Sequence, residues 1–521
     1  MHDITATDAA PPTIAVWIGF GALCLGMFMA VLDIQIVATS LPDIQSALGM
    51  QPSDMSWIQT AYLIAEVIGI SLTGWLTRVF GMRGLGLAAI TGFTLASLGC
   101  ALSSGFGSLI AFRVLQGFCG GSLIPAVFSA VFLLFPFRLQ GLATTIAGVL
   151  AVLAPTVGPL IGGWITDTFS WHWLFFINLG PGLSAVLAIA IVLPGGDALS
   201  HAWRRLDWPA LCLMAITLAC LEIGLKQAPK HGWLSLQVLS LLGLFAIAAI
   251  AFVLRIRHAT TRLVDLGLLA DRNFAVGCCL SFILGFGLYG SVYLMPVFLA
   301  FVRLHTSFEI GQTMLVTGAT QLLCAPLAVA LERRYDARLI AGLGFAAFAL
   351  GLGLSYDATW ETDFAGMFWP QVIRGGAIMF CLLPPTRIAL AHLPPARVPD
   401  ASALFNLMRN LGGAIGLALI DTVIWGQAPV HVQALVNRLL AGDVTAARFV
   451  GLPTEKFVGK PMKAPDEATQ ELIRPLIERA GLVSAINDAW LMLGLLTALG
   501  VILILLISQR SRSDDTAPRL L

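Results

Sequence analysis

Fourteen stretches of about 20 apolar residues, each long enough for one helical crossing of a ~30 Å hydrocarbon core, divide this chain from end to end. They fall at 14–38, 55–77, 84–104, 106–133, 141–165, 172–193, 207–226, 234–254, 273–301, 307–330, 338–356, 364–391, 401–426 and 486–508. None alternates apolar with polar residues along its length, so an outer-membrane barrel is excluded. Only 11% of the 521 residues are charged and 58% are hydrophobic, where a soluble protein carries about 25% charged residues. A soluble enzyme is excluded on that ground. The net charge of +1 and the lack of a long basic block argue against nucleic acid as a partner. All nine cysteines, Cys24 through Cys381, fall inside the apolar stretches, which suits packing and not a disulfide framework.

The basic residues orient the chain. Met1–Thr13 has no Lys or Arg, and the first apolar run is too long for a signal peptide, so it is read as the first span. With the N terminus in the cytoplasm, inner connections and the C-terminal tail hold 17 of the 30 Lys and Arg, among them Arg78, Arg83, Arg333, Arg334, Arg338 and Arg387. The short outer connections hold 3: Lys226, Lys230 and Arg303. Both termini are therefore expected in the cytoplasm, and the chain in the cytoplasmic (inner) membrane. Residues 427–485 are expected outside, as a solvated loop with short helices near Val430–Leu440 and Leu472–Leu482. Docking of those helices on the membrane surface or on a partner is the alternative.

Ionisable groups at membrane depth are costly, so each is a candidate for function. Asp33 lies about 12 Å below the outer end of span 1 and Arg113 about 10 Å below that of span 4, at about 1.5 Å per residue. The depths match, and a paired buried charge is cheaper than two lone ones. A purely structural ion pair is the competing reading. Glu66 falls near the centre of span 2, with Gln59, Tyr62, Gly69 and Thr73 at helical spacing. That polar stripe predicts a face turned to a cavity that binds substrate or protons, with Gln116 of span 4 beside it. Arg374 in span 12 and the group Asn406, Arg409 and Asn410 in span 13 divide evenly between structural and cavity-lining roles. Asp421 is close enough to a span end to reach water by snorkelling. The histidines lack metal-ligand spacing and no phosphate-binding loop is present, so neither a metal nor direct ATP drive is expected.

The two ends of the chain echo each other. Arg113 precedes Gly120, Gly121 and Pro125, and 261 residues on Arg374 precedes Gly375, Gly376 and Pro384. The clusters Gly158/Gly162/Gly163 and Gly412/Gly413/Gly416 are separated by nearly the same interval, as are the connections Gly74–Arg83 and Pro326–Arg338. Duplicated halves around a central cavity are typical of secondary transporters. Several segments resemble the major facilitator superfamily, and within it the fourteen-span drug:proton antiporters of the EmrB/QacA type. They are Leu32–Ile44 around Asp33, the loop Gly74–Arg83, Arg113–Gly121, the span-5 segment Ala154–Trp164, and Trp171–Asn178.

The resemblance implies an all-α polytopic membrane protein of the major facilitator fold: two six-helix bundles plus two extra central helices, 14 spans in all. The bundles are expected at 1–193 and 273–521, with the extra spans at 194–272. It implies proton-coupled efflux of amphipathic or toxic compounds by alternating access, driven by the proton gradient with no bound cofactor. Export of an endogenous amphiphile or metabolite, or uniport or import of a small solute, are the alternatives. Asp33, Glu66 and Arg113 would carry proton coupling. Gly74, Arg78, Gly81 and Arg83 after span 2, with Glu332, Arg333, Asp336 and Arg338 after span 10, would control the conformational change. So would Pro155, Gly158, Pro159, Gly162 and Gly163 in span 5, a motif that favours export. Arg78 stands where most members have aspartate, and Glu332 and Asp336 offer the acidic partner instead. Relatives in double-membrane bacteria work with a periplasmic adaptor and an outer-membrane channel.

Overall fold

The structure, a computed structural model, describes residues 13–193, 207–258, 266–332, 334–390, 393, 397–457 and 467–507. Helices account for its regular elements. The first half contains α1 (Ile14–Thr39), α2 (Leu41–Ala47), α3 (Trp57–Ala101), α4 (Phe106–Leu134), α5 (Phe137–Thr168), α6 (Trp173–Phe176) and α7 (Leu179–Val192). Then come α8 (Trp208–His231) and α9 (Leu236–His258). The second half contains α10 (Arg272–Phe301), α11 (Ser307–Glu332), α12 (Ala337–Gly353), α13 (Phe364–Leu390), α14 (Val398–Leu440), α15 (Val444–Val450) and α16 (Glu467–Ile504).

Among the described residues, thirteen segments are long and apolar enough to cross a membrane, and the 17-residue α12 stands where the eleventh apolar stretch lies. Two of the thirteen belong to α3, which breaks at Gly81. Its φ of 68° and ψ of 170° fall in a region open in practice to glycine alone. The chain can therefore leave span 2 and re-enter the bilayer as span 3 with almost no loop. The break lies on what we call the terminal face, where α1 begins; the opposite, distal face carries the ends of α1 and α5 and the start of α11.

Helices α1, α3, α4, α5 and α7 pack into one bundle, and α10 to α14 with α16 into another. Helices α8 and α9 pair with each other, and α8 rests on α14. The bundles meet where α5 crosses α11 and α3 crosses α14. Ile14 and Arg272, Val79 and Ala337, and Phe106 and Phe364, which open matching helices, are each 258 residues apart. At that interval Arg113 matches Gln371, and Arg374 matches Gln116. The starts of α5 and α14, Phe137 and Val398, keep the 261-residue interval read from the sequence.

The 427–485 region departs from the expected loop. Helices α14 (43 residues) and α16 (38 residues) run about 65 and 57 Å, far beyond a ~30 Å core, so spans 13 and 14 continue unbroken out of the distal face. The apolar spacing at Val430–Leu440 and Leu472–Leu482 serves this hairpin. Leu435, Leu439, Ala446, Ala447, Val450 and Ile477 close a small core of their own beneath α15. Asp443 caps α15 by accepting from Thr445 N at 2.8 Å. The Arg438 guanidinium and these amides hold its carboxyl down at about 2, so the cap stays ionised at any ordinary pH.

Candidate functional site

The first bundle encloses a closed ionic core. Asp33 on α1 and Arg113 on α4 are both fully buried and form a salt bridge. Gln116 Nε2 donates to Asp33 Oδ1 at 2.9 Å and Asn178 Nδ2 donates to the same oxygen at 3.0 Å. Arg113 Nε donates to Ile58 O at 3.0 Å and Nη1 to Gln116 Oε1 at 2.8 Å, while Tyr62 lies 4.4 Å beneath the guanidinium. Helices α1, α3 and α4 and the start of α7 thus converge on one ion pair. Every partner of the carboxylate is a donor, so its negative charge is held in place.

Glu66 is different, because its partner comes from the other bundle. It is 1% exposed, and its Oε2 accepts from Asn410 Nδ2 on α14 at 2.8 Å. The Tyr289 hydroxyl donates to Asn410 Oδ1 at 3.2 Å, and Arg409 donates to Asn406 one turn nearer the terminal face. A carboxylate on the seam between two bundles is positioned so that its charge state can bias their contact. Among the described residues, the stripe around it is hydrogen-bonded to backbone of its own bundle. Gln59 bonds to Ile34 O, Tyr62 to Ala30 O at 3.1 Å, and Thr73 to Gly69 O at 3.0 Å. Gln116 likewise belongs to the ionic core. The sequence periodicity located a face correctly but could not say that helices α1 and α4 cover it.

The span-5 motif is a two-sided packing surface. A Cβ at Gly162 would stand 2.4 Å from Ile36 O of α1, and one at Gly163 2.1 Å from Ser307 O of α11. Gly158 lies as close to Gln35, and Gly311 of α11 packs on the Pro159 carbonyl. Helix α5 can therefore touch both bundles at once, with Pro155 and Pro159 inside it removing two helical hydrogen bonds. Thr156 Oγ1 donates to Gly318 O at 3.1 Å, and Ser307 binds the Asp43 carboxylate and donates toward Thr39 O at 3.1 Å. The Thr156 bond ties α5 to α11 deeper in, and the Ser307 contacts close the distal end of the bundle interface. Gly163→Leu is expected to part α5 from α11 there. Labelling of Ser307→Cys by a membrane-impermeant maleimide should then rise severalfold, and unchanged labelling would show that this crossing does not hold the face shut.

The loop motifs are only partly joined to it. Arg83 donates to Ala190 O at the end of α7. Glu332 pairs with Arg387 at 3.9 Å, and Asp336 caps α12 through Arg338 N at 2.9 Å. The expected acidic partners thus serve their own half. Arg333 and the side chain of Arg78 lie outside the described residues, while Gly74 sits in the continuous helix before the Gly81 break. Asp421 corrects a second reading. It is 5% exposed, accepts from Tyr293 at 2.7 Å and binds the Ser56 hydroxyl of the other bundle. Tyr293 and Ser56 enclose the carboxylate, so it does not snorkel to water. No spacing along α14 signals these partners, which lie 365 and 128 residues away.

The family model of the Major Facilitator Superfamily matches residues 23–417. The chain is 35% identical to the colistin resistance protein EmrB of Acinetobacter baumannii, over 93% of this chain and 95% of that protein. It is 33% identical to the multidrug export protein EmrB of Escherichia coli, over 80% and 81%. In fold it resembles a bacterial homolog of the human lysosomal transporter Spinster, with a TM-score of 0.58 at 14% identity, over 95% of this chain and 98% of that one. With two bundles joined at Glu66, α5 and α14, and relatives of this closeness along nearly its whole length, the chain belongs to the Major Facilitator Superfamily, in its EmrB type.

Proposed function

We propose that this chain is a proton-coupled exporter that drives amphipathic, toxic compounds out of the cytoplasm by alternating access of its two bundles. One observation carries the reading: Glu66, a buried carboxylate on the bundle seam, is held by a neutral amide and, among the described residues, by no salt bridge. Such a group can take either a proton or a cationic substrate, and each then opposes the other. The names of the relatives, a colistin resistance protein and a multidrug export protein, support the substrate class. The closed distal face is the state that would receive substrate from the terminal side, and the arginine count supports reading that side as cytoplasmic. No cofactor beyond the proton gradient is required. In a double-membrane cell the exporter would sit in the inner membrane and deliver to a periplasmic adaptor and an outer-membrane channel. The lobe formed by α14, α15 and α16 stands on the face that such a partner would meet. Everted vesicles containing the protein should accumulate a fluorescent cationic dye, and collapsing the proton gradient should stop it. Accumulation that survives the collapse would sink the coupling.

A further inference from the structure

The ionic core of the first bundle has a counterpart in the second that lacks its anion. At the 258-residue interval the trio Asp33, Arg113 and Gln116 becomes Ser291, Gln371 and Arg374. An arginine is kept and the carboxylate is not. Arg374 is ten residues into α13, about 15 Å deep, and 2% exposed; Gln371, one turn away, is fully buried. Arg374 Nη2 donates to Thr317 Oγ1 at 3.0 Å, and that hydroxyl donates to Gln371 Oε1 at 2.9 Å. Arg374 Nε and Nη1 and Gln371 Nε2 have no partner. Among the described residues no carboxylate pairs with Arg374, whose guanidinium faces the Trp490 ring with Cζ 5.5 Å from the centroid.

A guanidinium does not shed its charge in a protein, and a buried charge without an anion is costly. Three unsatisfied donors around one cation define what is missing: an acceptor-only group with negative charge. Next to them is a recess of about 160 Å³, lined by the apolar Trp490, Pro370, Met295, Phe298 and Met367 and, toward the connection between α12 and α13, by the polar Ser355, Asp357 and Thr362. We infer that Arg374, Gln371 and Trp490 form a receptor for the oxyanion head, a carboxylate or its like, of an amphipathic ligand. This deepens the exporter reading by adding a second ligand class. Cations would be held at Glu66 in the first bundle, and anions at Arg374 in the second.

The test is a binding contrast in detergent, with no gradient, so that it stands or falls apart from proton coupling. The full chain, purified in a non-ionic detergent, is titrated with dodecanoate and with dodecanol, followed by tryptophan fluorescence and the unfolding midpoint. Dodecanoate is expected to bind at least about tenfold more tightly than dodecanol, the effect of one charge-assisted hydrogen bond. Arg374→Gln should erase that difference and Arg374→Lys keep part of it. Should Arg374→Gln fail to fold, Gln371→Met, which removes the free amide donor, must still weaken dodecanoate selectively. Phosphatidylglycerol that displaces dodecanoate through Arg374 would identify a lipid headgroup as the source of the oxyanion. Equal binding of dodecanoate and dodecanol, or a preference unchanged in Arg374→Gln and Gln371→Met, would overturn the assignment.

Discussion

Glu66→Gln is expected to abolish efflux of monovalent cations while the protein still folds. Gln keeps a carbonyl oxygen where Glu66 Oε2 now accepts from Asn410 at 2.8 Å, so the contact between α3 and α14 survives the change. What disappears is the charge. A hydrogen bond to a charged group contributes about 1.5–3 kcal/mol against about 0.5–1.5 for a neutral one, a difference of about 1–1.5 kcal/mol that corresponds to about a 5- to 13-fold loss of cation affinity. The loss of coupling is larger than that, because Gln can neither release nor accept the proton that cation binding must displace. Neutral compounds, which make no use of the charge, should retain some transport. Dye accumulation and its pH dependence, measured on vesicles with matched protein content, decide the matter. A Gln variant that pumps cationic dye at the wild-type rate with unchanged pH dependence would make Glu66 a packing residue and move the coupling site to Asp33.

Asp33→Asn should be the more damaging change to the fold itself. In the native core both carboxylate oxygens accept, one from Arg113 and the other from Gln116 and Asn178. An asparagine has a single acceptor, so whichever way its amide turns, an NH₂ group meets a donor. Arg113 stays charged, fully buried and deprived of its anion, at a cost of about 3–5 kcal/mol. Folded yield and the unfolding midpoint in detergent should both fall, along with transport. The exchange Asp33→Arg with Arg113→Asp should recover part of the loss seen in either single charge change, since the two charges again cancel. Recovery should be incomplete, because the Ile58 carbonyl that accepts from Arg113 would then face an aspartate. A double exchange no better than the worse single variant would show that the ion pair is not what stabilises this core.

The two changes differ because of where each carboxylate sits, and that difference was only half legible in the sequence. Asp33 and Arg113 could be matched from depth alone, since lone charges in hydrocarbon are too costly to leave unpaired. Gln116 and Asn178, which complete the arrangement, could not be assigned this way: a neutral amide on a helix carries no comparable constraint. Glu66 could be placed at mid-membrane, but its partner Asn410 is 344 residues away and its stripe of polar neighbours pointed to an open cavity. That stripe is instead covered by α1 and α4.

What the sequence by itself determined was everything set by the solvent: the number and length of the apolar stretches, the duplication, and the short list of buried charges. A bilayer imposes a length of about 20 residues and penalises each charge wherever it occurs, and both rules act locally along the chain. Only the tertiary structure decided which face meets which. It joined Ser56 to Asp421 and, among the described residues, left Arg374 without an anion while giving Arg113 one. It also carried α14 and α16 past the membrane as a hairpin with its own core. These outcomes depend on how helices hundreds of residues apart rotate and cross. In lipid such crossings are set by close packing at small residues, such as Gly163 against Ser307, and by single hydrogen bonds, not by hydrophobicity. Hydropathy along one helix has no component that reports them.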